Sequence, residues 1–200
     1  MEVLVPKLIA AAEKFDMIPV RDHPYVAPQP WKEDGDNTLP TGVEPYFLRD
    51  HSGPKWILGG ILCRPLITET QSGGRFSIGS IEGSNKHRKG LINDSTGIKF
   101  NTVHHCILVM DGSFEVTVEG KSVNLAAGEL IYIPCQTSFK FTFTSSYAQA
   151  YIFANGGGVE KIIRTLGKPY NPPTIPDVAT GEWTDVQVND LGGDLGYTLL

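Results

Sequence analysis

The sequence contains few of the residues that most often mark a chemical function, cysteine above all. Its three cysteines, Cys63, Cys106 and Cys135, lie far apart in apolar segments. An odd number at this spacing fits neither a disulfide framework nor a zinc site. None of them lies beside a turn or a helix start that would lower the pKa of its thiol. We therefore expect buried free thiols, and nothing supports a catalytic cysteine.

An excess of positive charge is also missing. The chain has 17 lysines and arginines against 22 aspartates and glutamates, which gives a net charge of -5. Proteins that bind nucleic acids usually present a clustered basic face. The dense basic patch, Lys86-His87-Arg88-Lys89, is closely followed by Asn93 and Asp94, and we interpret it as a solvated loop.

Long apolar runs are absent as well. No segment approaches the roughly 20 apolar residues of a membrane-spanning helix. The first residues, Met1 to Leu4, lack the basic start and the long apolar core of a secretion signal. We therefore expect a cytoplasmic protein that contacts neither a membrane nor a nucleic acid.

Short apolar or alternating segments, separated by glycine and proline, are abundant. Strands of this number and spacing are typical of an all-β sandwich or barrel. The segments predicted as strands are Pro45–Arg49, Trp56–Leu58, Ile61–Cys63, Leu66–Thr68, Arg75–Ile81, Phe139–Thr144 and Ala148–Phe153.

The central segment, Val103 to Pro134, has the clearest pattern. It predicts a strand, a turn at Asp111-Gly112, an alternating strand, a second turn at Glu119-Gly120 and two further short strands. Consecutive strands joined by tight turns favour a β-meander. Two adjacent histidines, His104 and His105, lie at its start.

The flanking segments have a different character. Apolar residues at helical spacing predict an N-terminal helix over Val3–Phe15. The proline-rich segment from Pro19 to Pro45 predicts an extended arm. A second helix is predicted over Val159–Leu166. The polar stretch Gly83–Gly97 is either a lid over a pocket or a plain surface loop. Beyond Pro169 the pattern predicts an irregular tail whose apolar residues could dock at an undetermined place.

Several landmark residues resemble those of a known family. They are Pro45-Tyr46-Phe47-Leu48, Gly112, Gly128 with Pro134, and Gly158-Val159-Glu160-Lys161-Ile162-Ile163 followed by Leu166-Gly167 and Pro169-Tyr170. On these residues the chain from about Pro45 to Pro173 resembles the cupins, in particular the fungal-type quercetin 2,3-dioxygenase group. The resemblance implies one jelly-roll β-barrel over 45–155, with a helix and arm over 1–44 and a helix and irregular tail over 156–200.

The metal-binding residues of that family are largely replaced. Family members use two histidines one residue apart, a glutamate separated from a following glycine by six residues, and a histidine five residues beyond a proline. The matching positions here hold Ile98, Phe100, His105 and Phe139, or Lys99 and Asn101 at the pair if the shorter spacing applies. A stable divalent site needs three or four protein ligands. The resemblance therefore implies a cupin that has lost its metal, and we expect no cofactor.

Strand alternation points His105 into the barrel and His104 outward, unless the register slips by one residue. An inward histidine beside phenylalanines could bind a flat hydrophobic ligand and move protons. A histidine that is only a hydrogen-bonded core residue, and phenylalanines that only fill the core, remain open alternatives. The catalytic candidates are His105, His104 and Tyr151. The substrate-binding candidates are Trp56, Arg64, Lys99, Phe100, Asn101, Tyr132, Phe139 and Phe141.

Three functions are consistent with these residues. The first is a metal-independent cupin enzyme of secondary metabolism that isomerises, cyclises or dehydrates an aromatic or polyketide-type molecule by acid–base catalysis at His105. The second is a dioxygenase whose metal is held by His104, His105 and a carboxylate such as Glu82 or Glu115. The third is a binding cupin without catalysis. The arm and the exposed sheet edge also favour a homodimer.

Overall fold

A computed structural model of the chain describes residues 38–49, 51–87, 97–172, 174–177 and 192–199. Contacts divide the chain into two units, Met1–Trp31 and Lys32–Leu200, and all described residues belong to the second. The predicted helix Val3–Phe15, nearly all of the predicted arm and most of the Gly83–Gly97 loop lie outside the described residues.

Strands dominate the described residues. Their bounds are β1 Trp56–Leu58, β2 Ile61–Ile67, β3 Ser77–Gly83, β4 Ile98–Phe100, β5 His105–Asp111, β6 Ser113–Val118, β7 Lys121–Ala126, β8 Leu130–Ile133, β9 Ser138–Phe143, β10 Ala148–Ala154, β11 Lys168–Pro169 and β12 Tyr197–Leu199. Two helices accompany these strands: α1, Glu69–Ser72, and α2, Val159–Leu166.

The described strands form two antiparallel sheets. One sheet has the order β11-β1-β2-β3-β10-β5-β8, and the other has the order β12-β4-β9-β6-β7. The fold is therefore all-β, as predicted.

The prediction of a β-meander was wrong, although its strands and turns were correct. β5 pairs with β8 and β10, whereas the next strand, β6, pairs with β7 and β9 in the other sheet. The turn at Asp111-Gly112 therefore carries the chain from one sheet to the other. A sequence pattern shows where a strand turns but does not show which strand becomes its neighbour, because pairing depends on residues far away in the chain.

Aromatic side chains fill the space between the sheets. Phe114 and Phe143 have ring centroids 4.8 Å apart, and Phe141 meets the Phe143 ring edge-on at 6.1 Å. Alternation places these residues on the inner face of their strands, where they are buried. Rings in tilted or edge-on contact stabilise a core beyond the burial of their apolar area. The interior of this sandwich is packed.

Three further strand predictions differ from the structure. Pro45–Arg49 forms no strand; the side chain of Phe47 is exposed and the Tyr46 hydroxyl donates to the carbonyl of Leu66. The segments predicted around Pro65 form one strand, β2, whose register with β3 shifts at that proline. The predicted irregular tail contains β11 and β12, which add to opposite sheets.

The two helices begin in different ways. At α1, which the sequence analysis missed because it has only four residues, the Thr68 hydroxyl accepts from the Thr70 N–H and Gln71 bonds back to Thr68, which is a capping box. α2 follows the predicted bounds and buries Val159, Ile162 and Ile163. Its first residue is preceded by Gly158, which has no side chain to cap the helix.

The structure also bears on the predictions about the cysteines and about membrane-spanning segments. The three cysteines are free thiols, with Cys63 buried and the other two half-buried. None of the helices in the described ranges has the length and apolar character needed to cross a membrane.

Gly112 provides a test of the sheet-to-sheet crossing. Its φ is +67°, and a Cβ there would collide with the backbone of Tyr147 and the side chain of Ser145. Gly120 has a similar φ of +76°, but a Cβ there would meet nothing within 4 Å. We expect Gly120→Ala to lower the free energy of unfolding by about 1–2 kcal/mol from backbone strain alone. Gly112→Ala should cost more than about 3 kcal/mol.

Urea unfolding of both variants measures the difference. Equal losses would show that the close contact at Gly112 carries no energetic weight.

Candidate functional site

His105 lies at the centre of the aromatic core. Its side chain is 1% exposed, and its ring centroid lies 4.5 Å from that of Phe100 and 5.2 Å from that of Phe139. Ile98 pairs with Phe139 across β4 and β9 and is also buried. The four positions obtained by counting from the glycine and proline landmarks therefore meet in space. The inward orientation predicted for His105 is confirmed.

The imidazole of His105 completes the start of α2. Its Nε2 accepts a hydrogen bond from the backbone N–H of Val159 at 3.3 Å. The first N–H groups of a helix have no partner within the helix, so an external acceptor stabilises this end. Gly158 allows the close approach, because a Cβ there would collide with Nε2.

This environment keeps His105 neutral. Burial, and to a lesser extent the neighbouring His104, lowers the pKa of His105 from 6.5 to about 3. An imidazole that is neutral at physiological pH and already accepts from a helix is a poor base and has no proton to give from Nε2. The structure thus favours the alternative of a hydrogen-bonded core residue, while the catalytic role remains a prediction.

His104 and Tyr132 lie at the surface beside the core. The Tyr132 hydroxyl is 2.8 Å from His104 Nδ1, and the two rings stack with centroids 5.9 Å apart. The backbone N–H of Cys135 also donates to this nitrogen. With His105 they line a shallow, mostly apolar groove of about 310 Å³. Tyr132 is 58% exposed, so the groove is wide open to solvent.

The other predicted binding residues do not gather around one cavity. Phe100, Phe139 and Phe141 are buried in the packed core, so they line neither the groove nor the larger cavity described next. The structure therefore favours the alternative that these phenylalanines fill the core. The remaining candidates are spread over both sheets: Trp56 half-buried on β1, Arg64 buried on β2, Tyr151 half-buried on β10, Lys99 half-buried on β4 and Asn101 exposed after it.

A larger cavity, of about 410 Å³, lies at one end of the seven-stranded sheet. Glu82, on β3, belongs to its wall and is only 7% exposed. The Tyr147 hydroxyl, at the start of β10, donates to Glu82 Oε2 at 3.2 Å. The other lining residues are His51, Ser84, Lys86, His87, Ser146, Thr174, Ile175, Pro176 and Asp177.

Burial and nearby charges change the pKa of Tyr147. Burial, followed by the Glu82 carboxylate, raises the pKa of the Tyr147 phenol well above its usual value, while Arg64 lowers it by a smaller amount. Arg64 lies on β2, two residues beyond Leu62, which is the residue that pairs with Glu82. Its Nη1 donates to the Ser52 carbonyl. The phenol is therefore protonated at physiological pH and acts as a hydrogen-bond donor.

The sequence did not predict that Glu82 and Tyr147 would meet at a cavity. Glu82 was considered only as an unconventional metal ligand, and Tyr147 was not considered. The interpretation of Lys86–Lys89 as a solvated loop was wrong for His87, which is 4% exposed. A single acidic residue in a strand otherwise made of serine, isoleucine and glycine was the available signal for Glu82. No pattern in the sequence indicated that Tyr147 would reach it.

Comparison with known proteins agrees with this topology. Residues 82–155 match the family described as ethanolamine utilisation protein EutQ. Over 147 residues the chain is 26% identical to quercetin 2,3-dioxygenase of Bacillus subtilis (strain 168). The chain thus shows the predicted likeness to the cupins and to the quercetin dioxygenases.

The extent of these likenesses is limited. The match to the Bacillus subtilis dioxygenase covers 73% of this chain but 42% of that protein, so the chain spans about two fifths of the curated relative. The EutQ structure from Clostridium difficile is 22% identical, with a TM-score of 0.37 over 48% of this chain and 68% of that chain. KdgF from Halomonas sp. is 12% identical, with a TM-score of 0.46 over 58% of this chain and 97% of that chain. The relatives include an enzyme, but the reaction of this chain is not determined by them.

The residues at the family's metal positions do not fit a metal ion. Isoleucine and phenylalanine offer no donor atom, and the Nε2 of His105 is already bonded to Val159. In the described parts of the chain, no group of three or more histidine, cysteine, aspartate or glutamate side chains could hold a metal. The set His104, His105 and Glu82 or Glu115 is therefore not assembled, which weakens the dioxygenase hypothesis.

The lowered pKa of His105 predicts an acid sensitivity. In the unfolded chain the imidazole takes up a proton near pH 6.5, whereas in the folded chain it resists protonation down to about pH 3. The unfolded state therefore binds more protons between these values, and the free energy of unfolding must fall as the pH falls from 6.5 towards 3. In His105→Leu this contribution is absent.

Urea unfolding at pH 7, 6, 5 and 4 tests the prediction, with His104→Leu as the control. The slope of stability against pH should flatten in His105→Leu only. An unchanged slope in that variant would show that His105 is not held neutral in the folded state.

Proposed function

We propose that this chain is a metal-independent cupin enzyme that uses Glu82 and Tyr147 for acid–base chemistry on a small hydrophobic molecule. The reaction class is isomerisation, cyclisation or dehydration, and an aromatic or polyketide-type substrate of secondary metabolism fits it. The observation that carries the proposal is a nearly buried carboxylate, Glu82, that is bonded by a phenol in the wall of a 410 Å³ cavity.

Glu82 is suited to the role of a base. A carboxylate removed from water is costly, and proteins keep one buried when it is paired or when it has a function. Tyr147 occupies one of its lone pairs, and the carboxylate has others with which to reach a substrate in the cavity. Arg64 and Lys55 lie close enough to interact with this end of the sheet: burial lowers the pKa of the Lys55 ammonium, and Glu82 partly offsets this.

Tyr147 is suited to the role of a donor. Its phenol is protonated and donates to Glu82 in the free protein. When a substrate binds, this one O–H turns from Glu82 to a carbonyl oxygen of the substrate and stabilises the negative charge that develops there. In an isomerisation, Glu82 removes a proton from the carbon beside that carbonyl, the C–H electrons form the enolate, and the proton returns at a different carbon. In a dehydration, the enolate instead breaks the C–O bond of a hydroxyl group on the next carbon, and that hydroxyl takes the proton from Glu82 and leaves as water.

The cavity is the reason for placing the chemistry at Glu82 and Tyr147 and not at His105. His105 lies in the packed core with a helix N–H on its Nε2, whereas Glu82 and Tyr147 face a volume large enough for a small organic molecule.

Substitution of Glu82 tests the proposed function. The purified protein is incubated with a panel of aromatic ketones and polyketide-type molecules, and conversion is followed by liquid chromatography with mass spectrometry. We expect Glu82→Gln to lower kcat/KM by at least about a hundredfold, because the base is lost while the shape is kept. Glu115→Gln, on β6 of the other sheet, is the matched control and should retain activity.

Turnover by Glu82→Gln at the wild-type rate would overturn the proposal. Binding of panel members without any conversion would point instead to a binding cupin.

We also propose a homodimer and a cytoplasmic location. Apolar side chains remain exposed on the outer face of the seven-stranded sheet, notably Leu130 and Tyr132 on β8 and Met110 on β5, which supports an interface between two copies. Free thiols support a reducing compartment. Light scattering after gel filtration should give twice the 21.8 kDa chain mass, and Leu130→Asp should shift it to one. A monomer in the wild type would contradict the dimer.

A further inference from the structure

His87 is a buried polar side chain without a partner. It is 4% exposed and lines the 410 Å³ cavity, and neither ring nitrogen has a hydrogen bond within the described residues. Leaving a buried donor or acceptor unpaired is unfavourable, so such groups usually meet water or a ligand. A histidine that only fills a core normally has hydrogen bonds to its ring nitrogens, and His87 has none among the described residues.

The chain makes room for this ring. Gly60, in the turn between β1 and β2, has a φ of +83°, and a Cβ there would come within 2.7 Å of His87 Cβ and Cγ. The imidazole is therefore packed directly against backbone. A side chain at position 60 would displace it from the cavity wall.

The turn that carries His87 is held in place by hydrogen bonds. The N–H of His87 donates to the carbonyl of Ser84, and the N–H of Lys86 donates to the Ser84 hydroxyl. Asn85 bonds through its backbone N–H to Ser145 and through its side chain to Thr144, just before Tyr147. The turn is thus fixed to the loop that positions the proposed donor. Lys86, next to His87 in the chain, lines the same cavity.

We propose that the Lys86-His87 pair binds a carboxylate of the cavity's ligand, so that the substrate is an acidic small molecule. The inference rests on the proposed function for the identity of the site and adds the substrate class. A carboxylate accepts from an imidazole N–H and from an ammonium, and charge-assisted bonds of this kind are the stronger ones. Glu82 is already bonded by Tyr147, whereas both ring nitrogens of His87 lack a hydrogen bond among the described residues. Because both nitrogens are enclosed, the ring turns towards the cavity when the carboxylate binds. The second ring nitrogen is left to another polar group of the ligand or to water.

Binding of benzoate and benzamide tests the inference without any turnover. The two probes have nearly the same shape, but only benzoate carries a charge. Titrations followed through the histidine ring nitrogens by NMR should show benzoate binding at least about tenfold more tightly than benzamide. The ring signals of His87 should move on binding. His87→Asn and Lys86→Met should each lower the affinity for benzoate, relative to that for benzamide, by about tenfold.

The variants include their own controls. Lys86 is exposed, so Lys86→Met does not threaten folding even if His87→Asn does. His104→Asn, in the separate groove, should leave benzoate binding unchanged. Equal affinities for the two probes, no benzoate binding up to its solubility, or wild-type binding by Lys86→Met would overturn the inference.

The inference and the proposed function fail separately. Benzoate preference that depends on His87, with no conversion that depends on Glu82, would keep the acid-binding site and remove the enzyme. Glu82-dependent conversion of neutral ketones, with no preference for benzoate, would do the reverse.

Discussion

The hydrogen bond between the neutral His105 imidazole and the Val159 N–H joins the aromatic core to helix α2. It exists only while the ring is uncharged, and it needs Gly158 because a side chain there would occupy the place of Nε2. The phenylalanines around the ring exclude water and so maintain the uncharged form. The packed interior, the position of α2 and the neutrality of His105 are thus aspects of one arrangement. None of them can change without the others.

A filled interior changes where chemistry can take place. With Ile98, Phe100 and Phe139 buried around His105, the space that the family's metal would occupy holds hydrocarbon. The polar groups that face a cavity are at the end of the seven-stranded sheet, where Glu82, Tyr147 and His87 come from three separate segments. On the proposed function, the chemistry of the chain lies at this end of the sheet and not between the two sheets. This is consistent with the general observation that one fold hosts many functions.

The sequence predicted local features well and long-range features poorly. Period-two alternation identified β9 and β10 within a residue or two and correctly turned His105 inward, because alternation is a property of the strand itself. Spacing from Gly112 and Pro134 located the four converging positions. The pairing of β5 with β10 rather than β6, and the reach of Tyr147 to Glu82, depend on contacts between distant segments. His87 was misjudged because charged neighbours in the sequence concealed a buried ring.

The strand β12 has a consequence for the order of assembly. It pairs with β4, and Tyr197 packs its ring 5.6 Å from Phe100, the nearest neighbour of His105 among the rings. The wall of the core around the imidazole is thus closed by residues that lie far along the chain from those they touch. Contacts of such separation require a large loss of chain entropy before they become favourable, and they slow folding. During refolding, the environment that lowers the pKa of His105 should consequently form among the last parts of the protein.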